Sequence, residues 1–430
     1  MVKKVLILNV VSIHKNVTFN FFKLIKSMNK LFIFLFNIFI NNFLRILYFK
    51  GRDENLWIFG CWGGEKYCDN SKYLFEYVSQ NLPHINIVWI TKNNTIKQKL
   101  KNSNLSCHMY NEFQGYKSRL NAGYVFFTNS MRDFGNIDLC HGAIKIALWH
   151  GMPIKKMQFA SNNFRQKDSN FIKYLQYSML KIYNSKQRDV SIATSEATKN
   201  NLIESFELHP KSVFITGQPR NDVLFETKKA IFLRDLLKHN SKNTFILYMP
   251  TWRNFNQNDT FLEDLLGELI DDLKFNQNLK NNNVTLYIKP HPRIIINAKG
   301  NNNIIVINNS LNVDSQEILS AADVLITDYS SAFIDYALLE RPVHFYVPDL
   351  NEFKKSSNGL FYSLDSFTSF WFKEIEVLKA ILSNPTKFLK QGLENSSKIN
   401  SIFNDNSLKK GEYCSNVIQK LKTEKIIKNC

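Results

Sequence analysis

Two histidine-bearing segments carry the residue types best suited to chemistry in this chain. Trp149-His150-Gly151-Met152-Pro153-Ile154-Lys155-Lys156 closes an apolar run over residues 144–148. Ile288-Lys289-Pro290-His291-Pro292-Arg293 closes a second run over 284–288. In each, a histidine stands beside Gly or Pro and within a few positions of Lys or Arg. Imidazole exchanges protons near neutral pH, and neighbouring cations hold phosphate oxygens. Residues just past the carboxyl ends of strands line the ligand crevice of an open α/β fold. The two segments together point to chemistry on a phosphorylated substrate.

Three further strand ends carry polar groups. In Val324-Leu325-Ile326-Thr327-Asp328-Tyr329-Ser330-Ser331-Ala332-Phe333-Ile334-Asp335 a buried strand ends at Thr327 and a helix opens at the serines. Free N–H groups and hydroxyls at a helix start attract anions. Ser330 and Ser331 are therefore candidates to hold a nucleotide diphosphate, and Asp335, one turn later, to bind ribose hydroxyls. A plain helix cap explains Ser330 equally well. Tyr248-Met249-Pro250-Thr251-Trp252-Arg253 ends another strand with a hydroxyl and a guanidinium able to fork onto phosphate; a surface ion pair is the competing reading of Arg253. Arg220, in Gly217-Gln218-Pro219-Arg220-Asn221-Asp222, either reaches into a cleft or closes a structural turn.

The elements that must position these residues alternate between apolar, strand-like runs and helical stretches from Leu56 onward, the pattern of parallel α/β units. At 430 residues two domains are the expected division. The expected architecture is α/β: two Rossmann-like domains facing each other across a cleft. An amphipathic membrane-associating segment is expected over residues 1–50 and an N-terminal domain over 51–225. A charged helical linker over 226–241 follows, then a C-terminal domain over 242–400 and a basic helix over 401–430.

A hydrophobic fraction of 44% with 21% charged residues excludes a disordered chain. The net charge of +18 points to an anionic partner, with the Lys, Asn, Ile and Phe bias of an AT-rich genome as the competing reading. Nucleic acid is not expected, because no nucleic-acid-binding motif is present and the aromatics sit in apolar runs. The six cysteines form no C-x-x-C pair, so a zinc site is not expected; no cofactor is expected either. Residues 19–49 are strongly apolar, yet Asn16, Asn20, Lys23, Lys30, Asn37, Asn41 and Arg45 fall on one helical face. A narrow polar stripe opposite a wide apolar face suits a helix lying in an anionic membrane surface. A buried hairpin of the first domain and a single span are the alternatives. No small-residue cleavage site follows, which disfavours a secretory signal. The Lys-rich stretch 417–428 reads as a second basic surface element or as a solvated closing helix.

Taken in order, Trp149-His150-Gly151-Met152-Pro153-Ile154-Lys155, Thr194-Ser195-Glu196, Gly217-Gln218-Pro219-Arg220-Asn221-Asp222, Pro250-Thr251-Trp252-Arg253, Lys289-Pro290-His291-Pro292 and Thr327-Asp328-Tyr329-Ser330-Ser331 resemble the CDP-glycerol glycerophosphotransferases of teichoic acid and capsule synthesis. The stretch from Phe59-Gly60 through Tyr67-Cys68-Asp69-Asn70-Ser71-Lys72 fits the same pattern upstream. The resemblance covers residues 56–349. It implies a GT-B fold and transfer of polyol phosphate from CDP-glycerol or another CDP-polyol to an acceptor hydroxyl on a lipid-linked glycan, with release of CMP. It also implies a peripheral place on the cytoplasmic face of the membrane. Relative to the longest members the chain lacks a large N-terminal domain, which leaves single-unit transfer open beside polymerisation.

By the same resemblance His150 is the general base from the first half, and His291 donates a hydrogen bond or proton to the diphosphate opposite. Arg253, Ser330 and Ser331 offset charge without a metal. Gly151, Lys155, Arg220, Thr251, Lys289, Thr327, Asp328 and Asp335 complete the expected substrate-binding set. A metal alternative would draw on Asp323, Asp328 and Asp335. The competing functions are a GT-B sugar transferase using a nucleotide sugar, and a non-catalytic membrane scaffold on the same fold.

Overall fold

The computed structural model describes residues 51–428 except 136–137, 162–176, 179–180, 182–183, 185–186, 254–259, 292–293, 295, 297–299, 308–310, 312 and 357–358. It also describes Phe32, Leu35, Phe36, Phe39, Ile40 and Phe43. The expected membrane segment, 1–50, otherwise lies outside the described residues. Within it Phe32, Leu35, Phe36, Phe39 and Phe43 are exposed. Among the described residues no helix is long and apolar enough to cross a membrane.

Runs of Ile, Val, Phe and Trp without polar alternation form strands buried on both faces, and such strands assemble into parallel sheets covered by helices. Seven make the first sheet: β1 (Asp53–Gly60), β2 (Asn86–Thr91), β3 (Cys107–Met109), β4 (Ala122–Phe127), β5 (Ile144–Ala147), β6 (Val190–Ala193) and β7 (Val213–Ile215), in the order β3-β2-β1-β4-β5-β6-β7. Every described pairing in it is parallel; Trp57 of β1, for example, stands between Ile87 and Tyr124. Six make the second: β8 (Thr244–Met249), β9 (Val284–Ile288), β10 (Ile304–Val306), β11 (Val324–Thr327), β12 (Val343–Tyr346) and β13 (Trp371–Phe372), ordered β10-β9-β8-β11-β12-β13. The order reverses between β1 and β4 in one sheet and between β8 and β11 in the other. These reversals are the switch points beside which open α/β sheets bind ligands. The α/β architecture with two parallel sheets agrees with the sequence reading.

Short strands β3 and β13 are the two that apolar runs did not announce. They hold three and two residues at sheet edges, too few for a periodic signal. The chain after the second sheet crosses back. The helix Leu389–Phe403 packs on the second domain, where Asn395 Nδ2 donates to the carbonyls of Val343 at 3.0 Å and Phe370 at 2.9 Å. The next helix, Tyr413–Thr423, buries Val417, Ile418 and Leu421 in the core of the first domain beside Trp57 and Tyr73. Asp222 caps it by accepting from the amides of Tyr413 at 2.6 Å and Cys414 at 2.9 Å. Gly217 has φ +74, and a Cβ there would fall 2.2 Å from the Tyr413 ring. The close approach of that helix thus requires glycine.

One apolar cluster runs continuously through both domains, joining Trp149, Met152, Ile154 and Leu202 of the first to Tyr329, Phe333, Phe345 and Phe367 of the second. It contains no charge, but beside it on β12 sits His344, fully buried with both ring nitrogens unpartnered among the described residues. Burial alone holds its pKa down at about 4. An unfolded histidine titrates near 6.5, so below that pH the unfolded chain takes a proton that the folded one refuses. Stability should therefore fall as pH drops from about 6.5 towards 4, by up to about 3 kcal/mol from this residue. Urea unfolding across that window should show the slope, and His344→Leu should make it shallower; equal slopes in the two proteins would refute the assignment.

Candidate active site

The loop leaving β5 carries His150 to the second domain and is pinned there by main-chain bonds. Ile154 O accepts from Phe361 N at 2.9 Å, Lys156 N donates to Gly359 O at 2.8 Å, and Lys155 pairs antiparallel with Leu360. Gly151 also approaches the second domain closely. Its φ is +127, and a Cβ would stand 2.7 Å from Ser331 Oγ and 3.1 Å from the Arg220 guanidinium. Only glycine lets the His150 loop lie this close to Ser331 of the other domain. His150, Gly151, Arg220 and Ser331, four residues singled out in sequence, thus meet at one place.

The imidazole of His150 contacts two indoles, Trp149 at 4.3 Å and Trp62 at 5.2 Å between ring centres. Its Nδ1 is buried without a hydrogen-bond partner among the described residues. Burial lowers its pKa below the ordinary value, against the pull of the Asp69 carboxylate. The ring is therefore neutral at pH 7 and free to take a proton. His291, past the end of β9, lies 6.2 Å from Trp252 with the two rings near parallel at 22°. The Lys289 ammonium is buried, and burial with the nearby Lys66 cation pushes its pKa down. The Lys155 ammonium lies 4.8 Å over the Phe353 ring; burial lowers its pKa while Asp328 opposes.

Arginine–carboxylate clusters hold the surrounding frame. Asp335 is buried and accepts from Gln218 Nε2 at 2.7 Å, Arg220 Nη2 at 2.5 Å, Asn221 Nδ2 at 2.9 Å and Gln316 Nε2 at 2.8 Å. Arg220 also donates to Asp69 at 3.0 Å. Asp69 and Arg220 belong to the first domain and Asp335 to the second, so this network closes the domains on each other. Both oxygens of Asp335 are occupied by protein, where the sequence reading gave it to ribose. Arg253 is likewise enclosed: Nη1 bonds Asp328, Nε donates to Asp349 at 2.9 Å, and Nη2 donates to the other Asp349 oxygen at 3.2 Å. Asp328 in turn accepts from the amide of Thr251 at 2.9 and 3.0 Å. The sequence reading had Arg253 forking onto phosphate; here its fork grips Asp349.

Thr327 is committed as well, its hydroxyl donating to Met249 O at 2.8 Å and tying β11 to β8. Thr251 Oγ1, by contrast, is buried without a partner among the described residues. Ser330 Oγ accepts from the amide of Ala332 at 3.3 Å. The carboxylates weighed for a metal are dispersed: Asp323 pairs with Arg234, Asp328 with Arg253 and Asp335 with Arg220. Sequence reasoning gave no role to Trp62, Asp69, Gln316 or Asp349. Trp62 and Asp69 lie inside the stretch quoted upstream, but Gln316 and Asp349 carried no spacing or motif signal.

The chain is similar to known proteins in sequence and in fold. Residues 42–383 match the family described as CDP-Glycerol:Poly(glycerophosphate) glycerophosphotransferase. A teichoic acid poly(glycerol phosphate) polymerase of Bacillus spizizenii is 26% identical over 338 residues, 75% of this chain and 81% of that protein. A teichoic acid glycerol-phosphate transferase of Staphylococcus aureus is 22% identical, over 72% of this chain and 78% of the relative. The match to a poly(glycerol phosphate) polymerase of Staphylococcus epidermidis, at 25% identity, spans 42% of that longer protein. Among solved structures, the wall teichoic acid polymerase TagF superposes with a TM-score of 0.70 at 21% identity, over 93% of this chain and 98% of that one, a likeness of fold. The chain belongs to the CDP-glycerol:poly(glycerophosphate) glycerophosphotransferase family.

Removing the cation at the centre of the interdomain network should expose its structural weight. Arg220→Met leaves Asp69 and Asp335 buried and facing each other without a counter-charge, which should cost about 3–5 kcal/mol of stability. Urea denaturation followed by fluorescence would measure it; a loss below about 1 kcal/mol, the range of exposed pairs, would show that the network is solvated.

Proposed function

We propose that this member of the family transfers glycerol phosphate from CDP-glycerol to an acceptor hydroxyl on a teichoic-acid-type, lipid-linked glycan and releases CMP. The observation that carries the reading is the close approach, at Gly151, of the loop that bears a neutral, half-buried histidine in one domain to Ser331 at a strand end of the other. Glycerol is the polyol indicated by the family and by the named relatives.

In this reading His150 takes the proton of the acceptor hydroxyl as its oxygen bonds to the β-phosphorus. The bond from that phosphorus to the oxygen of CMP breaks, and the leaving phosphate gains charge. Lys289, Lys155 and the hydroxyls of Thr251, Ser330 and Ser331 offset that charge, and His291 donates to the diphosphate from the far side. Burial has already taken solvent from both ammonium groups, so a diphosphate reaching either would meet a poorly solvated cation. Arg253 serves from behind, fixing Asp328 and through it the Thr251 amide. Arg220 and Asp335 set the distance between the halves, and Thr327 holds β11 to β8.

The enzyme works, in this proposal, at the cytoplasmic face of the membrane, attached to its anionic surface by residues 19–49 with their Lys, Arg and Asn stripe.

His150→Ala should lower turnover about 10²–10⁴-fold, the usual worth of a general base, while CDP-glycerol binding by calorimetry persists. Near-normal CMP release from a folded variant would remove His150 from the reaction. The unmodified enzyme should release CMP from CDP-glycerol and leave UDP-sugars intact, with turnover unchanged in EDTA; UDP release instead would favour a sugar transferase. Alkaline carbonate should strip the protein from anionic vesicles, and retention through that wash would contradict surface attachment.

A further inference from the structure

The loop after β1 holds a feature that no step above uses. Trp62 is 38% exposed, an unusual place for a large indole, and its ring lies 5.2 Å from that of His150. Its Nε1 donates to Asp69 Oδ2 at 3.3 Å, while the other oxygen of Asp69 accepts from Arg220. Trp62 (φ 46), Asp69 (φ 64) and Trp149 (φ 59) all stand in the left-handed region, which bulky residues seldom enter. Backbone strain of that kind persists only where the surroundings enforce it, and it gathers at functional sites. Three such residues here surround one imidazole.

We infer that Trp62 is a positioning residue for His150: its indole covers the imidazole from water and, through Nε1, holds the Asp69 carboxylate in a bond of its own. The inference rests on the reading of His150 as the base. Covering the ring favours its neutral form. Occupying one Asp69 oxygen, with Arg220 on the other, weakens the one nearby anion that would hold a proton on the imidazole. The charges facing His150 are Asp69 from the helix Asp69–Asn81, Arg220 from the turn after β7 and Arg188 from the segment before β6; the two arginines act in the same direction as the cover. Trp62 thus keeps the base unprotonated and oriented.

The test compares Trp62→Phe and Trp62→Ala with the unmodified full-length protein. Trp62→Phe keeps a ring over His150 and loses only the N–H donor; Trp62→Ala loses both. In Trp62→Ala, kcat/KM for CMP release should fall roughly 10- to 100-fold. The acid limb of its pH profile should move upward, towards the ordinary histidine value near 6.5. Trp62→Phe should fall between Trp62→Ala and the unmodified enzyme on both measures. Calorimetric affinity for CDP-glycerol should stay unchanged in both variants, which also shows that they are folded. Carbon-13 NMR of labelled histidine, with the His150 signal identified by its absence in His150→Gln, reads the same pKa without turnover. A His150 pKa and acid limb unmoved in Trp62→Ala, with donor affinity intact, would overturn the inference. Normal turnover in His150→Ala would instead overturn the functional reading, and the NMR shift keeps the two failures apart.

Discussion

The buried contact between Arg220 of one domain and Asp335 of the other is the constraint on which the rest of the structure depends. Removing two charges from water is costly, and their attraction repays it only when the remaining donors and acceptors are satisfied. Here Gln218, Asn221 and Gln316 complete the shell of Asp335, and Asp69 takes a further donor of Arg220. Such a network adds little net stability compared with an apolar contact of equal volume. Its value is geometric, because each member accepts only one arrangement of the two sheets. That arrangement is the one in which Gly151 reaches Ser331.

A second guanidinium does the same within the C-terminal domain. Arg253 is gripped by Asp328 at the end of β11 and by Asp349 beyond β12, and Tyr329 adds a hydroxyl donor to Asp349 at 3.1 Å. The loop after β8 is thereby fixed to the neighbouring strand ends. Residue types usually assigned to phosphate binding are spent on the frame in both clusters. In the proposed reaction the substrate is met instead by a neutral histidine, by lysines already deprived of solvent, and by small hydroxyls. That division suits transfer of a charged group, since a frame of paired charges has a fixed field and need not reorganise during the reaction.

The crossing of the C-terminal chain secures the same geometry from outside. Asp222, two residues after Arg220, caps the helix Tyr413–Thr423, whose apolar face enters the first core. One turn therefore serves as interdomain contact, as cap and as neighbour of the histidine loop. The continuous apolar cluster from Trp149 to Phe367 adds the non-directional part of the cohesion.

The sequence by itself determined the two parallel α/β halves, because strands buried on both faces must be written as unbroken apolar runs, and it marked the loops that follow them. His150, Gly151, Arg220 and Ser331 were legible as chemistry-bearing residues at strand ends. Their partners were not. A side chain's donors say what it can bind, but the choice between a phosphate and an aspartate is made by distance, and distance across a crevice comes from how two domains pack. Arg253 and Asp335 read equally well as ligand-binding groups until Asp349 and Gln218 are seen to fill them. Trp62, in the turn after β1, and Asp69, the first residue of the helix that follows, take left-handed backbone that has no periodic signature, so only the folded chain brings them to the imidazole. Periodicity encodes local structure and burial; the pairing of polar groups far apart in sequence is decided by tertiary structure alone.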